Sequence, residues 1–395
     1  MNFNNINYLA GTKKILIKSL IPYENITCEF FNELSALLLK STKAKKYTDV
    51  ISFAFWCRKK NIYNFKKNIS NTEFRVGLGL IFHICPSNIP VNFAYSFAFG
   101  LLSGNSNIVR VPSKSFPQVK IICDKINYLF KTKKFKSLND MNLFVRYDQQ
   151  DIITSFYSSI CNARIIWGGD QSVNNIKKIM TSPKCVDITF PDRYSFCLMN
   201  SNLVCKLDIT KLKSLVKKFY NDTYIVDQNG CSSPHLIVWV GSNNKKAQKI
   251  FWETLFTFVK KNYFLENIIA IDKYTKSIED ILNLKNIKSV QRHGNQIYRV
   301  ALKNLNNNNH LNRGKNGFFY EYESKDINEI AKMINNKYQT LTYFGVKKSE
   351  LIKFIKKNNP LGLDRIVPIG QSLDMGIHWD GFDMPRTLSR VIEIK

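Results

Sequence analysis

The chain has 395 residues, 44% of them hydrophobic, and a formal net charge of +28 at pH 7. This length allows two or three domains, and the apolar content excludes an intrinsically disordered chain. We find neither an apolar run long enough for a transmembrane helix nor the basic and apolar regions of a signal peptide. The nine scattered cysteines show no metal-ligand spacing and are typical of a reducing compartment, so we expect a cytoplasmic protein without a metal.

The positive charge raises the possibility of nucleic-acid binding. The lysines, however, are spread along the whole length, and Lys, Asn, Ile, Phe and Tyr are abundant together, as A/T-rich codons would produce. This pattern favours a solvated basic surface with no nucleic-acid role. Such a surface would also attract anionic ligands such as phosphorylated cofactors or coenzyme A.

The first half of the chain predicts strands that alternate with helices. Residues 1–75 form a mixed leader with helical stretches, and residues 76–84 are an apolar run that predicts a buried strand. The alternation that follows is typical of a parallel, doubly wound sheet. The predicted helices cover 27–42, 91–102, 117–130 and 172–180, and the further strands cover 107–111 and 163–167.

The second half continues in the same way. Helices are predicted over 210–220, 245–261 and 326–335, and strands over 235–240 and 318–322. Residues 304–309 are rich in Asn and predict a surface loop. Residues 389–394 alternate like a strand, which would be an adhesive edge if it had no partner.

Two motifs carry chemistry. Cys231 lies in the small-residue run Asp227-Gln228-Asn229-Gly230-Cys231-Ser232-Ser233-Pro234, and Asn88 lies upstream between Pro86 and Pro90. A cysteine thiolate is an attacking group, and an amide N–H can stabilise the oxyanion that forms, so the pair has the parts of a thiol acyl-transfer site. Each residue alone would more often be a small buried side chain or a turn residue.

These motifs belong to a longer ordered series. Its members are His83-Ile84-Cys85-Pro86-Ser87-Asn88-Ile89-Pro90, Gly100-Leu101-Leu102-Ser103-Gly104-Asn105, Val109-Arg110-Val111-Pro112-Ser113-Lys114, Trp167-Gly168-Gly169-Asp170, Cys231-Ser232-Ser233-Pro234, Gly362 to Gly370 and Trp379 to Arg390. Their order and spacing resemble the aldehyde dehydrogenase superfamily, and more closely the LuxC-type long-chain fatty acyl-CoA reductases. The resemblance runs from about residue 76 to the end and is loose over the leader.

The resemblance implies an α/β, aldehyde dehydrogenase-like fold and a homo-oligomer. Residues 1–75 would pack as a leader on the cofactor domain, and residues 76–205 would form a doubly wound, Rossmann-like NADP-binding domain. Residues 206–375 would form a second α/β domain that carries the catalytic Cys231. Residues 376–395 would be a C-terminal strand and oligomerisation segment. We expect Cys231 and Asn88 to approach one another in a crevice between the domains.

The resemblance also implies a reductive reaction. A long-chain acyl-CoA, or an acyl group from an acylated partner protein of the acyl-protein synthetase type, would acylate Cys231. NADPH would then reduce this thioester to an aldehyde, while the Asn88 amide and the Cys231 backbone N–H hold the oxyanion. A thioester is a good hydride acceptor because sulfur donates poorly into the carbonyl.

For the cofactor, the resemblance points to Ser87, Arg110, Ser113, Gly168 and Gly169. Arg110 stands where the superfamily commonly has Lys, and a guanidinium suits a 2′-phosphate, which favours NADPH over NADH. The two glycines would let the backbone approach a pyrophosphate at the start of a helix. Asp170, which follows the two glycines, is negatively charged and counts against a very close contact between this backbone and the pyrophosphate.

Two departures from the superfamily affect the chemistry. Its Glu general base, which activates water to hydrolyse the thioester, is absent from residues 189–195, and this suits an enzyme that keeps the thioester for reduction. Its Glu-x-Phe-Gly-Pro motif is not recognisable, and residues 312–317 stand near that place, so the partner of the nicotinamide ribose stays unassigned. His235 is a conceivable base, but strand geometry would direct it elsewhere.

Two alternatives stay open. The same superfamily contains reductases of acyl phosphates, such as glutamyl phosphate reductases, and only substrate profiling separates them from acyl-CoA reductases. A non-enzymatic scaffold or basic nucleic-acid-binding protein is the other alternative, which the presence of both Cys231 and Asn88 disfavours.

Overall fold

The computed structural model describes residues 6–67, 73–87, 89–148 and 151–395. The chain divides into two compact units, of which the first contains Met1–Pro191 together with Met375–Lys395, and the second contains Asp192–Asp374. The four domains proposed from the sequence carry functional roles and stay predictions. The second unit begins earlier than the predicted boundary at residue 206, because the strand Tyr194–Asn200 pairs with the strand that follows Cys231.

The first unit contains a leader and an alternating α/β region. Its strands are β1 (Asn7–Gly11), β2 (Arg75–Gly77), β3 (Leu80–Ile84), β4 (Ser106–Arg110), β5 (Asn142–Arg146), β6 (Ala163–Trp167) and β7 (Val186–Phe190). Its helices are α1 (Asn25–Lys40), α2 (Thr48–Trp56), α3 (Lys59–Lys67), α4 (Asn92–Leu102), α5 (Pro117–Phe130), α6 (Lys136–Asn139), α7 (Asp151–Ile160) and α8 (Asp170–Lys177). The bounds predicted for α5 and β6 are confirmed.

The sheet of the first unit is doubly wound, as predicted. Its strand order is β1-β5-β4-β3-β6-β7, with β3 to β7 parallel and β1 antiparallel to β5. The chain therefore leaves β3 first toward β4 and β5 and then, on the other side, toward β6 and β7. All five residues of β3 are buried, as in a sheet that helices cover on both faces. Ligands of such sheets bind beyond the carboxyl ends of the strands at the switch point, here between β3 and β6.

The leader packs into the core of the first unit. Phe30 of α1 stacks on Phe130 of α5 with ring centroids 5.2 Å apart and meets Phe135 edge-on. The leader also supplies β1, a strand that the sequence did not predict. The run 76–84, predicted as one strand, is divided at Gly79. Its φ of +130° bends the chain, and a Cβ there would come within 2.3 Å of the Asn162 side chain.

The second unit also alternates strands and helices. Its strands are β8 (Tyr194–Asn200), β9 (Pro234–Val240), β10 (Ile287–His293), β11 (Ile297–Leu302), β12 (Phe318–Ser324), β13 (Tyr338–Phe344) and β14 (Arg365–Pro368). Its helices are α9 (Ser201–Val204), α10 (Ile209–Thr223), α11 (Asn244–Asn262), α12 (Asn267–Asn283) and α13 (Lys348–Asn358). The strand order is β10-β11-β12-β9-β8-β13-β14, and every pair except β10–β11 is parallel.

Local capping explains why one predicted helix of this unit is confirmed and why another has a different helix type. Asp208 accepts a hydrogen bond from the Lys211 N–H and begins α10, a helix that the apolar spacing predicts. The predicted helix over 326–335 is a 3₁₀ helix, Ile327–Met333. There the Asp326 side chain accepts from the Asn328 N–H, only two residues on, which favours the tighter turn.

After the second unit the chain returns to the first. This part contains β15 (His378–Trp379), β16 (Phe382–Asp383), α14 (Met384–Thr387) and β17 (Ser389–Val391). The tail strand is shorter than predicted, and it pairs antiparallel with β2 inside its own chain. The predicted homo-oligomer therefore stays a prediction. None of the helices in the described part of the chain has the length and apolarity required to cross a bilayer.

Candidate active site

Five residues predicted to bind the cofactor come to one edge of the first unit's sheet. Ser87 follows β3, Arg110 ends β4 and Ser113 follows it, while Gly168 and Gly169 lie between β6 and α8. Because β3, β4 and β6 are parallel neighbours, their carboxyl ends meet at the same edge. This is the edge at which doubly wound sheets bind their ligands.

The start of α8 has room for a phosphate group. Gly169 is the N-cap, and a Cβ placed on it would meet no atom within 4 Å. A Cβ on Gly168 would lie 3.3 Å from that of Ser172, so only the second glycine faces open space. The N–H groups at a helix start attract anions, although Asp170 in this first turn opposes a direct contact. The open space at Gly169 is compatible with the predicted pyrophosphate position, and the Asp170 carboxylate is the group that counts against it.

Arg110 offers a charge for the same ligand. It is half-buried, with its guanidinium 4.6 Å from the centre of the Tyr147 ring and Nη2 3.5 Å from the Tyr147 carbonyl oxygen. Within the described residues it forms no ion pair. A guanidinium held by a ring face keeps donors for a phosphate. Ser87 and Ser113 are exposed at this edge, whereas Asn88 lies outside the described residues.

Cys231 lies in the second unit, just before β9, and is half-buried. It therefore lies at the amino end of a strand, whereas the five residues predicted to bind the cofactor lie at or beyond the carboxyl ends of strands. The turn that contains it begins with two successive left-handed residues, Asp227 at φ 51° and Gln228 at φ 56°. This conformation costs roughly 1–2 kcal/mol per residue, so side-chain contacts must hold it.

Gln228 supplies those contacts. Its side chain is only 1% exposed, and its Nε2 donates to the carbonyl oxygens of Pro234 and Phe318, both at 3.2 Å. Its Oε1 accepts from the N–H groups of Gly317 at 2.7 Å and Phe318 at 3.1 Å. Sequence reasoning quoted this residue without giving it a role.

Ser195 holds the backbone of Cys231, the predicted nucleophile. Its Oγ donates to the Cys231 carbonyl oxygen at 2.7 Å and accepts from the Thr340 N–H at 3.1 Å. Ser195 lies in β8, next to β9, and is fully buried. Its role was missed because the contact joins residues 36 positions apart, and only the pairing of the strands brings them together.

The segment near residues 312–317 anchors the Cys231 turn. Gly314 packs so closely that a Cβ would come within 1.8 Å of the Phe318 carbonyl oxygen, and the Asn316 N–H donates to the Asp227 carbonyl oxygen at 3.1 Å. The buried Lys273, whose pKa burial lowers to about 7, donates from Nζ to the Asn316 carbonyl oxygen at 2.7 Å. These residues therefore have a supporting contact with the turn that the sequence did not suggest.

His235 is directed away from any role as a base. It is 4% exposed, its Nδ1–H donates to the Gly314 carbonyl oxygen at 2.9 Å, and its ring stacks on Tyr194. Burial, assisted by the nearby charge of Arg313, lowers the pKa of His235 to about 3. It is therefore neutral at physiological pH and acts as packing, in line with the strand argument.

The carboxylates around residues 189–195 are engaged elsewhere. Asp192 pairs with Arg313 at 2.9 Å, and Arg193 pairs with Asp364. Both carboxylates therefore have a guanidinium partner within the second unit. No described His, Cys, Asp or Glu residues form a group of three or more that could hold a metal ion.

A further buried acid supports the turn from another direction. Asp222 of α10 accepts from the N–H groups of Gly370 at 2.6 Å and Ser372 at 3.0 Å, and burial raises its pKa to about 6. The loop it holds continues to Leu373, and a Cβ on Gly230 would lie 3.4 Å from that side chain. Gly230 therefore gives the turn space next to this loop.

Residues 3–391 match the family described as Acyl-CoA reductase (LuxC). The sequence has no match among curated proteins.

Solved structures show the same fold at low sequence identity. A salicylaldehyde dehydrogenase from Pseudomonas putida G7 is 10% identical with a TM-score of 0.65, over 94% of this chain and 85% of that one. An NAD-dependent benzaldehyde dehydrogenase from Corynebacterium glutamicum is 12% identical with a TM-score of 0.62, over 94% and 84%. A 1-pyrroline-5-carboxylate dehydrogenase from Thermus with bound NAD is 11% identical with a TM-score of 0.61, over 92% and 77%. The fold is thus of the aldehyde dehydrogenase type.

Proposed function

The chain belongs to the acyl-CoA reductase (LuxC) family, and we propose that it reduces long-chain acyl thioesters to aldehydes with NADPH through an acyl group on Cys231. The observation that carries this proposal is the fixed Cys231 turn. A half-buried thiol on a turn that Gln228 and Ser195 hold in place is suited to attack on a carbonyl. A cysteine that only filled space would need no such support.

The first half of the reaction transfers the acyl group. The Cys231 thiolate attacks the thioester carbonyl and forms a C–S bond, and the carbon–sulfur bond to coenzyme A breaks, so that coenzyme A leaves as a thiolate. The negative charge on the carbonyl oxygen in between is stabilised by N–H donors, for which we propose the Asn88 side chain and the Cys231 backbone.

The second half releases the aldehyde. NADPH, when held by the first unit, would supply a hydride to the acyl carbon. The same two donors hold the resulting oxyanion, and when it collapses the bond to Cys231 breaks, which returns the thiolate and frees the aldehyde. Residues 189–195 contain no Glu, which supports a pathway in which water is not activated against the thioester.

We propose that the first unit holds the cofactor through the carboxyl edge of its sheet. The start of α8 at Gly168 and Gly169 would receive the pyrophosphate, and Arg110 the 2′-phosphate. Ser87 and Ser113 would form hydrogen bonds with the cofactor at the same edge. The open space at Gly169 and the Arg110 guanidinium without an ion pair among the described residues support this assignment.

The setting of the reaction is proposed from the family and from the composition. The acyl donor would be acyl-CoA or an acylated partner protein, the enzyme a homo-oligomer, and the compartment the cytoplasm. The scattered cysteines support a reducing compartment.

Acyl trapping tests the proposal. The protein is incubated without NADPH with acyl-CoAs of graded chain length and, in parallel, with an acyl phosphate, and the peptide that contains Cys231 is analysed by mass spectrometry. We expect a Cys231 adduct with long-chain acyl-CoA that disappears as aldehyde forms when NADPH is added. Cys197, which is fully buried, serves as the internal control and should stay unmodified. Aldehyde formation without any adduct, or an adduct from acyl phosphate alone, would overturn the proposal.

A further inference from the structure

We propose that Gln228 is a positioning residue for the reaction, which holds the Cys231 thiol in place by clamping its turn at both ends. This inference rests on the proposed function, because it assumes that Cys231 is the nucleophile.

The clamp joins three parts of the backbone with one side chain. Gln228 begins the turn, and its Nε2 reaches the Pro234 carbonyl oxygen on the far side of Cys231. The same amide contacts Gly317 and Phe318, which lead into β12. Since β12 is the hydrogen-bonded neighbour of β9, the turn is tied to the rigid sheet and not only to itself.

Glutamine has the chemistry that this position requires. A primary amide carries two N–H donors and an oxygen with two lone pairs, and all four are used here. A glutamate at this position would lack both N–H donors, and a methionine would form none of the four hydrogen bonds. Because the side chain is 1% exposed, water could not readily replace the bonds that a variant loses, although the Phe318 N–H also donates to the Lys315 carbonyl oxygen at 3.1 Å.

The glycine opposite the clamp shows how closely the two segments approach. Gly317 has φ 86°, and a Cβ there would come within 2.2 Å of the Gln296 carbonyl oxygen. Only glycine lets this N–H reach Oε1 of Gln228. Asp227 and Gln228 are left-handed, a conformation that costs energy and that the clamp helps to hold.

The consequence for catalysis follows from the position of Cys231 inside the clamp. Ser195 fixes its carbonyl group, and the Gln228 side chain ties the residue three positions before Cys231 to Pro234, three positions after it. When the clamp is lost, the thiol should sample orientations from which it cannot attack. Misplacement of a reacting group by about 1 Å can lower a rate by roughly 100-fold.

The test compares Gln228→Met, which keeps the size, and Gln228→Glu, which keeps the acceptor, with a matched control. The control is Asn105→Ala in the first unit, at the amino end of β4. Asn105 is also a fully buried amide, and it bonds to the backbone of Gly79, Gly100 and Leu388. For each variant, kcat, the KM for acyl-CoA, NADPH binding, the rate of Cys231 alkylation by iodoacetamide and the thermal midpoint are measured.

We expect Gln228→Met to lower kcat and the alkylation rate by roughly 10- to 100-fold, with little change in the KM for acyl-CoA or in NADPH binding. Asn105→Ala should lower the thermal midpoint while kcat stays at the wild-type value. The carboxyl introduced by Gln228→Glu donates only when protonated, so the ratio of its kcat to that of the wild type should rise as the pH falls. This readout also serves if the Met variant does not fold.

The outcomes separate this inference from the proposed function. If Cys231→Ser keeps full activity, the proposed function fails whatever Gln228 does. If Cys231→Ser is inactive, two results overturn the clamp alone. One is wild-type kcat in a folded Gln228→Met, and the other is a Gln228→Glu to wild-type ratio that does not change with pH.

Discussion

The two regions to which we assign the cofactor and the nucleophile are built in opposite ways. At the carboxyl edge of the first sheet, Ser87, Ser113 and Gly169 are exposed and Arg110 forms no ion pair among the described residues. In the second unit, buried side chains fix the Cys231 turn at the amino end of β9. The first region leaves these groups open to solvent, whereas the second has its hydrogen bonds satisfied within the protein.

The difference follows from what each region must do. A dinucleotide brings its own charges and can complete the contacts of an open edge when it binds. A nucleophile must be in place before the reaction, because its attack leaves no time for reorganisation. We therefore expect substitutions at the turn to affect kcat and substitutions at the open edge to affect cofactor affinity.

The largest effect is expected for Cys231→Ser. An alcohol is a far weaker nucleophile than a thiolate, and an oxygen ester accepts hydride less readily than a thioester, so aldehyde formation should be abolished. NADPH binding, measured by fluorescence titration, should change little. If the variant reduces acyl-CoA at the wild-type rate, hydride transfer occurs on the bound thioester itself and the covalent pathway is wrong.

Asn88→Ala should have the next largest effect. Loss of one oxyanion donor lowers kcat by roughly 100- to 1,000-fold. Steady-state kinetics with saturating acyl-CoA and NADPH measure this, and an unchanged NADPH dissociation constant is the control. A variant that loses cofactor affinity and keeps kcat would place Asn88 with the open edge and remove it from the oxyanion site.

Sequence reasoning identified the fold because that depends on patterns that repeat along the chain. The apolar runs at β3 and β6 and the alternation with helices predicted the doubly wound sheet. The ordered motifs indicated the family, which the match over residues 3–391 confirms. The cofactor and catalytic assignments came from the resemblance and stay predictions.

The support of the Cys231 turn could not be found in this way. Ser195 and Gly317 are ordinary residues in the sequence, and they contact the turn only because β8, β9 and β12 lie side by side. Gln228 carries no local signal, since three of its four hydrogen bonds join it to Gly317 and Phe318, far along the chain. Side-chain to backbone contacts between distant strands leave no periodic pattern.

The open edge can be tested with Arg110→Met. If the guanidinium binds the 2′-phosphate, its loss removes charge-assisted hydrogen bonds and should weaken NADPH binding roughly 10- to 100-fold, with a much smaller change for NADH. Titration of both cofactors measures the ratio, and Arg110→Lys should retain part of the preference. Equal losses for both cofactors would mean that Arg110 does not distinguish them by this phosphate.

The smallest effect is a loss of folding stability on acidification. It comes from a buried histidine in each unit and is absent at neutral pH. His83 in β3 makes hydrogen bonds with Ser96 at 2.8 Å and Asn107 at 2.9 Å, and burial lowers its pKa to about 4. The pKa of His235 is lowered to about 3, also mainly by burial. In the unfolded chain a histidine has a pKa of about 6.5, so the unfolded state binds more protons as the pH falls below that value. The stability that each neutral ring contributes is complete above about pH 6.5 and is lost progressively toward the folded pKa, with a loss of about 2 kcal/mol per histidine at pH 5. Urea unfolding at pH 7 and pH 5 measures this loss.

We expect His83→Asn to have a lower free energy of unfolding than the wild type at pH 7. The difference between the two free energies should narrow by about 2 kcal/mol at pH 5, because only the wild type must still keep this ring neutral. If the gap is the same at both pH values, His83 does not titrate with the lowered pKa, and the acid sensitivity of the first unit has another source.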